Sequence, residues 1–157
     1  MLHFPNKAKI VNLLAPAADA GGRTSAVYAS LKNAVRAWVV VYLTQGAANT
    51  VQLDPVQATA VAGTGTKALT NNCQIFSNLD VSASDTLVSR TAAKTYTTDA
   101  GVHNKIVIFQ IDPAETMDTA NSFDCIGITT GASAAANITS AFLIADLKYS
   151  DAGLITD

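Results

Sequence analysis

The sequence predicts an all-β protein, an antiparallel jelly roll or closely related β-sandwich with an extended N-terminal arm. Two long segments alternate with a period of two and are apolar on both faces, which is typical of buried strands. Turn signals separate eight to ten short strand-like segments at regular intervals. No segment is suited to form the crossover helix that a parallel sheet needs, so we expect less than about 15% helix.

Residues 1–24 have the composition of an arm. Segment 9–14 is strand-like, and the following residues, 15–22, form a flexible turn rich in Ala, Gly, Pro and Asp that ends in a glycine hinge. We predict that residues 1–14 lie against another subunit, where strand addition would satisfy their backbone donors. The apolar side chains expected at this interface are Leu2, Phe4, Ile10, Leu13 and Leu14. Residues 25–157 are predicted to form one β-sandwich domain.

The strongest strand signal lies between Arg36 and Thr44. Ala37, Val39, Val41 and Leu43 take one face, and Trp38, Val40 and Tyr42 take the other. The segment from Asn104 to Ile111 has the same character. Apolar residues on both faces predict a strand that is covered on both sides or that presents an aromatic face to another subunit. The side chains expected in the core are Val39, Val41, Leu43, Val107, Phe109, Ile111, Leu143 and Ala145.

Weaker segments complete the pattern in chain order. They lie at 25–31, 50–53, 73–76, 86–88, 94–98, 123–129 and 138–145, and a loop at 130–137 joins the last two. Pro55 is expected to end regular strand pairing after 50–53, and 56–62 is expected to form one or two turns of helix.

The composition argues for a surface that other protein covers. Only 14% of the 157 residues are charged, whereas 28 are Ala and 18 are Thr. Soluble proteins usually carry roughly a quarter charged residues. The net charge of −2 and the scattered basic residues argue against a nucleic-acid partner. We recognise no signal peptide or membrane-spanning run, so we expect synthesis in a cytoplasm.

Residues that could carry catalysis do not form a recognisable cluster, so we expect no enzyme and no cofactor. His3 and His103 lack a neighbouring nucleophile and carboxylate, and His103 is expected in a solvated loop. Cys73 and Cys125 lack zinc-binding spacing and are expected to be reduced, buried side chains.

Two further motifs are weak. The acidic residues Asp112, Glu115, Asp118 and Asp124 lack the spacing of a calcium loop, which favours a solvated turn. The segment from Gly63 to Lys67 lacks the second half of a phosphate-binding loop and a following helix. We therefore predict no metal or phosphate site.

Three segments carry a resemblance to a known family. They are AVRAWVVVYLTQG at 34–46, TVQLDPVQATAVAGTGTKAL at 50–69 and FDCIGITTGASAAANITSA at 123–141. Together they resemble capsid decoration or cement proteins of short-tailed bacteriophages, over roughly residues 7–148.

The resemblance implies a jelly roll that sits on the outer capsid surface of the virion. There it would cement neighbouring major capsid proteins and stabilise the DNA-filled head, often as a homodimer at two-fold positions, after synthesis in the bacterial host cytoplasm. The family provides no active site to transfer. Two alternatives stay open: a tail or fibre protein of the same virion, and a carbohydrate-binding β-sandwich that uses Trp38 and Tyr42.

Overall fold

The computed structural model describes Phe4 and residues 7–149, and its regular structure is almost entirely β, with 52% strand and 6% helix. The strands are β1 (Ala8–Ala18), β2 (Arg23–Thr24), β3 (Ala29–Ser30), β4 (Ala34–Gln45), β5 (Gln52–Ala58), β6 (Lys67–Ala68), β7 (Cys73–Asn78), β8 (Val88–Ala93), β9 (Tyr96–Thr97), β10 (Asn104–Ile111), β11 (Cys125–Thr130) and β12 (Asn137–Leu147). Between β10 and β11 lie the one-turn helix α1 (Pro113–Thr116) and a 3₁₀ turn (Thr119–Asn121).

The strands form two antiparallel sheets. Sheet I has the order β1-β12-β4-β10-β7-β8. Sheet II has the order β2-β11-β5-β6, with β3 paired to β11 and β9 paired to β5. Every strand pair is antiparallel. The predicted antiparallel β-sandwich and its low helix content are therefore confirmed, while the jelly-roll connectivity stays a prediction.

One continuous apolar core lies between the two sheets. Sheet I contributes alternate residues of β4 and β10, such as Val39, Val41 and Phe109, and sheet II contributes residues such as Leu53, Ile126 and Ile128. All eight side chains that the sequence placed in the core are buried, and none is more than 1% exposed. Alternation along β10, along β12 and along β4 from Arg36 onward explains this agreement, because every second side chain of a strand faces the same side.

Part of the predicted arm belongs to the folded body. Residues 8–18 form β1, an edge strand of sheet I that pairs with β12 of the same chain. The pairing register shifts between Asn12 and Leu14, and Leu13 and Leu14 are both buried. A β-bulge allows two consecutive side chains to leave the usual alternation, so both leucines reach this chain's own core.

The expected break at Pro55 is wrong, and so is the predicted helix after it. Pro55 lies inside β5, which continues to Ala58. On one side of β5, the short strands β9 and β6 pair only with the residues that flank Asp54 and Pro55. On the other side, the register partner Ile128 directs its N–H and carbonyl oxygen to Ser25 and away from Pro55. The missing N–H of proline therefore removes no ladder hydrogen bond, which is the situation in which a strand tolerates proline.

Candidate interaction surface on sheet I

One face of sheet I packs in the core, and we call the opposite face the outer face. Its large apolar side chains are Ile10 on β1, Trp38, Val40 and Tyr42 on β4, Phe76 on β7, Ile106 and Ile108 on β10, and Ile138, Phe142 and Ile144 on β12. None of them is buried, and Ile10, Ile138 and Tyr42 are 58%, 42% and 38% exposed. The described part of the chain thus leaves this apolar face partly open to solvent.

The strand register aligns these side chains in rows that run across the sheet. The central row consists of Asn12, Phe142, Val40, Ile108 and Phe76, which are successive partners on five neighbouring strands. The next row consists of Ile10, Ile144, Trp38, Gln110 and Gln74. Side chains directly opposite each other in antiparallel strands lie on one face, about 5 Å apart, so the apolar residues form one continuous surface.

Among the paired strand residues of the outer face, charge is confined to one end. Arg36 and Asp146 are register partners at that end. From the row of Trp38 to the row of Ile138 and Thr44, the outward-facing paired residues of β1, β12, β4, β10 and β7 are apolar or neutral. Strand spacing and rise give this neutral region dimensions of about 19 by 20 Å, or about 400 Å² in projection. Patches of this size often mark interaction sites.

A groove with a volume of about 490 Å³ lies on the outer face. Val40, Ile106 and Ile108 line it on the central strands, Phe142 lines it on β12, and Leu87 lines it from the loop at residues 79–87, which connects β7 to β8. The groove is therefore an apolar depression bounded by a strand on one side and a loop on the other. Apolar clefts of this size accept large side chains or small apolar ligands.

Hydrogen bonds hold the loop at 79–87 beside the groove. The buried Asn78 donates from Nδ2 to the carbonyl oxygen of Ser84 at 2.6 Å and accepts the Asp80 N–H through Oδ1 at 3.0 Å. Asp80 Oδ2 also lies 3.1 Å from Nδ1 of His103, whose side chain is 49% exposed in its loop. The groove wall is therefore held to the body of the protein at Asp80 and Ser84.

The predicted interface residues fall into three groups. Phe4 and Ile10 are exposed, at 56% and 58%, so both are accessible to another subunit. Leu13 and Leu14 are 3% and 4% exposed and pack in the core, which corrects their placement at an interface. Leu2 lies outside the described residues.

Residues on both sides of the groove were missed as site residues. They are Ile106 and Ile108 on β10 and Phe142 and Ile144 on β12, two strands that the sequence identified. Each alternates along its strand with a predicted core residue, and that alternation was the signal that these side chains share the opposite face. The aromatic pair of the carbohydrate alternative, Trp38 and Tyr42, is on the outer face rather than in the core, with Val40 between them on β4.

Buried polar groups form hydrogen bonds that link separate segments of the chain. Lys105 is fully buried and donates to Oε1 of Gln45 at 2.8 Å and to the carbonyl oxygen and carboxylate of Asp99 at 3.0 and 2.5 Å. The hydrogen bond from Lys105 lowers the pKa of Asp99 despite an opposing effect of burial. A second buried polar group of this kind is Asp19, which accepts hydrogen bonds from the hydroxyls of Thr130 at 2.8 Å and of Thr139.

The cysteines behave as buried, reduced side chains, as predicted. Cys73 and Cys125 are free thiols. Burial raises the pKa of Cys73 to about 11. Burial, followed by the hydrogen bond to Asp124, raises the pKa of Cys125 to about 12. Neither thiol is a nucleophile at neutral pH.

The acidic residues Asp112 and Asp118 form contacts that stabilise the local structure. Asp112 caps α1 by accepting the N–H of Ala114 at 3.1 Å. Asp118 pairs with Lys67 at 2.5 Å, and that contact lowers its pKa. Within residues 7–149 and Phe4, no group of three or more His, Cys, Asp or Glu is placed to hold a metal ion.

The described helices are too short to cross a lipid bilayer.

The main candidate site in the described part of the chain lies on sheet I, which has a neutral apolar face with a groove beside its centre. Comparison with protein-family models and with curated proteins found no match to this chain.

Proposed function

We propose that this protein is a structural component of a larger assembly, and that the assembly is an icosahedral phage head. In this role it binds the outside of the capsid and cements neighbouring major capsid proteins. Its location would be the outer surface of the virion, and its partners would be the capsid protein and neighbouring copies of itself. No catalytic step is part of the proposal.

The observation that carries the assembly role is the outer face of sheet I. A sheet of a sandwich needs one apolar face to form the core, and the second face of a free protein is usually polar. Here the second face presents ten large apolar side chains and no charge across its central rows. Covering such a surface with another protein removes it from water and lowers the free energy of the system.

The phage-head part of the proposal rests on the resemblance at 34–46, 50–69 and 123–141. The physical features agree with that role. A neutral contact surface on a rigid sandwich suits a clip across capsomer boundaries, and many copies acting together need only modest affinity per copy. The β1 side of the outer face, with Ile10, Tyr42 and Ile138, is the part that we assign to the shell.

Co-sedimentation with DNA-filled heads that lack tails tests this role. Heads are purified from the virus that encodes the chain, and the native copies of this protein are removed from them. The stripped heads are then mixed with recombinant protein. We expect saturable binding, and a reconstruction of the particle should show the protein outside the shell. A chain found only on tails would support the tail or fibre alternative and overturn the cement role.

Matched variants assign the binding to the outer face. Tyr42→Asp and Ile138→Asp place a charge at exposed positions of that face, whereas Thr97→Asp places one at an exposed position of sheet II. We expect the first two variants to lose head binding at least about tenfold, since a charge buried in an apolar contact is costly. Equal binding by all three variants would contradict the assignment.

One observation favours a second candidate function. Trp38 and Tyr42 lie on the same face of β4, and Tyr42 is 38% exposed, so their rings are accessible to a flat apolar ligand such as a sugar ring. A glycan array separates the two functions. Binding that is lost in Trp38→Ala would favour a carbohydrate module, and absence of binding would remove this candidate.

A further inference from the structure

The groove on the outer face carries one charged group. Asp85 is the single charged residue among those that line it. Its side chain is exposed and forms no ion pair with any residue of the described part of the chain. An occupant that combines a large apolar side chain with a nearby cation would therefore match the groove in both shape and charge.

The chain itself displays such a combination near the start of β1. Phe4 is 56% exposed. The N–H of Lys7 donates to the carbonyl oxygen of Phe4 at 3.0 Å, which closes an i to i+3 turn. Side chains three residues apart in such a turn lie on the same side, so the phenyl ring and the ammonium group are presented together. Lys7 is exposed and makes no ion pair within the described residues.

We propose that the groove binds the Phe4–Lys7 turn of a second copy of this chain. The phenyl ring of Phe4 fills the apolar groove between Phe142 and Leu87, and the Lys7 ammonium group pairs with Asp85 at its rim. Phe4 is exposed to solvent in its own chain, so the contact is made in trans. The proposal rests on the assembly role above and names the residues through which neighbouring copies are linked.

The structure favours this turn over the other exposed aromatic end of the chain. Tyr149 is 62% exposed, but its neighbour Lys148 already donates to the carbonyl oxygen of Lys32 at 3.5 Å. Tyr149 also carries a hydroxyl group that an apolar groove would leave without a partner. Tyr149→Ala is therefore a matched control, because it removes an exposed aromatic ring without touching the proposed contact.

Sedimentation velocity of the full chain without an N-terminal tag tests the proposal. We expect the parent protein to self-associate as its concentration rises. Phe4→Ala should raise the dissociation constant about 30-fold, as expected for the loss of an aromatic anchor. Lys7→Glu and Asp85→Lys should each raise it about fivefold. The combined Lys7→Glu and Asp85→Lys protein should return to within about twofold of the parent, because the pair is restored with its charges exchanged.

The outcomes separate this inference from the proposed function. A parent that stays monomeric up to about 1 mM, the weak end of specific binding, would overturn the inference, and so would a Phe4→Ala protein that associates like the parent. A charge exchange that fails to restore association would also overturn it. Head binding is measured separately on the same proteins. Self-association that depends on Phe4, together with absent head binding, would leave the inference standing and remove the cement role.

Discussion

Neighbouring residues of β4 offer a direct test of the two faces of sheet I. Val41 is fully buried in the core, whereas Val40 is partly exposed on the outer face. We expect Val41→Asp to unfold the protein or nearly so. We expect Val40→Asp to leave a folded monomer that has lost its contact surface.

The magnitudes follow from the two environments. Full burial can raise the pKa of an Asp carboxyl by about 3 to 5, to about 7 or above, so that at pH 7 the cost approaches that of protonating the carboxyl, about 4 kcal/mol. Loss of the buried Val41 side chain adds about 1.5–3 kcal/mol. The sum is comparable with the entire stability of a domain, roughly 5–15 kcal/mol. At Val40 the carboxylate reaches water, so the cost should be about 1 kcal/mol or less.

Urea unfolding followed by circular dichroism measures both variants. The Val41→Asp protein should also regain stability as the pH is lowered. Its folded-state pKa would lie above the unfolded value, so the penalty grows as pH rises from about 4 and disappears below that value. Val41→Asn is the neutral control and should show no such pH dependence. Equal midpoints for the Val40 and Val41 variants would refute the assignment of the two faces.

Three further predictions concern groups inside the fold. Burial raises the pKa of the two cysteine thiols to about 11 and about 12, so neither should react with a disulfide reagent at about pH 8 until the protein is unfolded in urea. Because the hydrogen bond from Lys105 lowers the pKa of Asp99, its stabilisation should be present above the unfolded pKa of about 4 and lost as pH falls through the folded value. Asp99→Asn should therefore flatten the acid limb of stability in urea titrations, and an unchanged limb would contradict this. A Cβ on Gly127 would lie 2.6 Å from the Tyr28 ring, so Gly127→Ala should cost about 1–3 kcal/mol by thermal unfolding. In a Tyr28→Ala background the same change should stabilise by up to about 1 kcal/mol, since alanine suits a strand better than glycine, and an equal cost in both backgrounds would contradict the packing argument.

The strands with regular alternation were predictable from the sequence. β4 from Arg36 to Gln45 and the whole of β10 repeat with a period of two, so the core side chains of these segments follow from the pattern alone. The adjacent burial of Leu13 and Leu14 was not predictable in this way. It depends on a register shift against β12, and such a shift is set by tertiary pairing rather than by local sequence. The tolerance of Pro55 has a similar origin, because it depends on which residues β6 and β9 leave unpaired.

The candidate site was partly foreseeable. Apolar residues on both faces of β4 predicted either a strand covered on both sides or an aromatic face toward another subunit, and the structure places that second face on the outside of sheet I. The groove was not foreseeable, since its wall is a loop held by contacts of Asn78 and Asp80 with each other and of Asp80 with the distant His103. None of these contacts has a sequence motif. The groove therefore emerges only when the loop is packed beside the sheet.

Sheet II provides an internal comparison for the outer face of sheet I. On its outward side, the register partners Asp54 and Thr129 are polar. The apolar Cys125 and Ala58 on that side are covered by the side chain of Tyr28, which is only 3% exposed. The chain thus covers the apolar outer residues of sheet II with its own aromatic ring.

On sheet I, no described segment covers the central row of Phe142, Val40 and Ile108, all three of which stay partly exposed. Both sheets belong to one chain that is only 14% charged, so a general shortage of polar residues would leave them equally bare. They differ, because only sheet I keeps a broad open apolar face. The open face is therefore better explained by a protein partner than by composition, since association recovers the free energy that exposure of this surface costs.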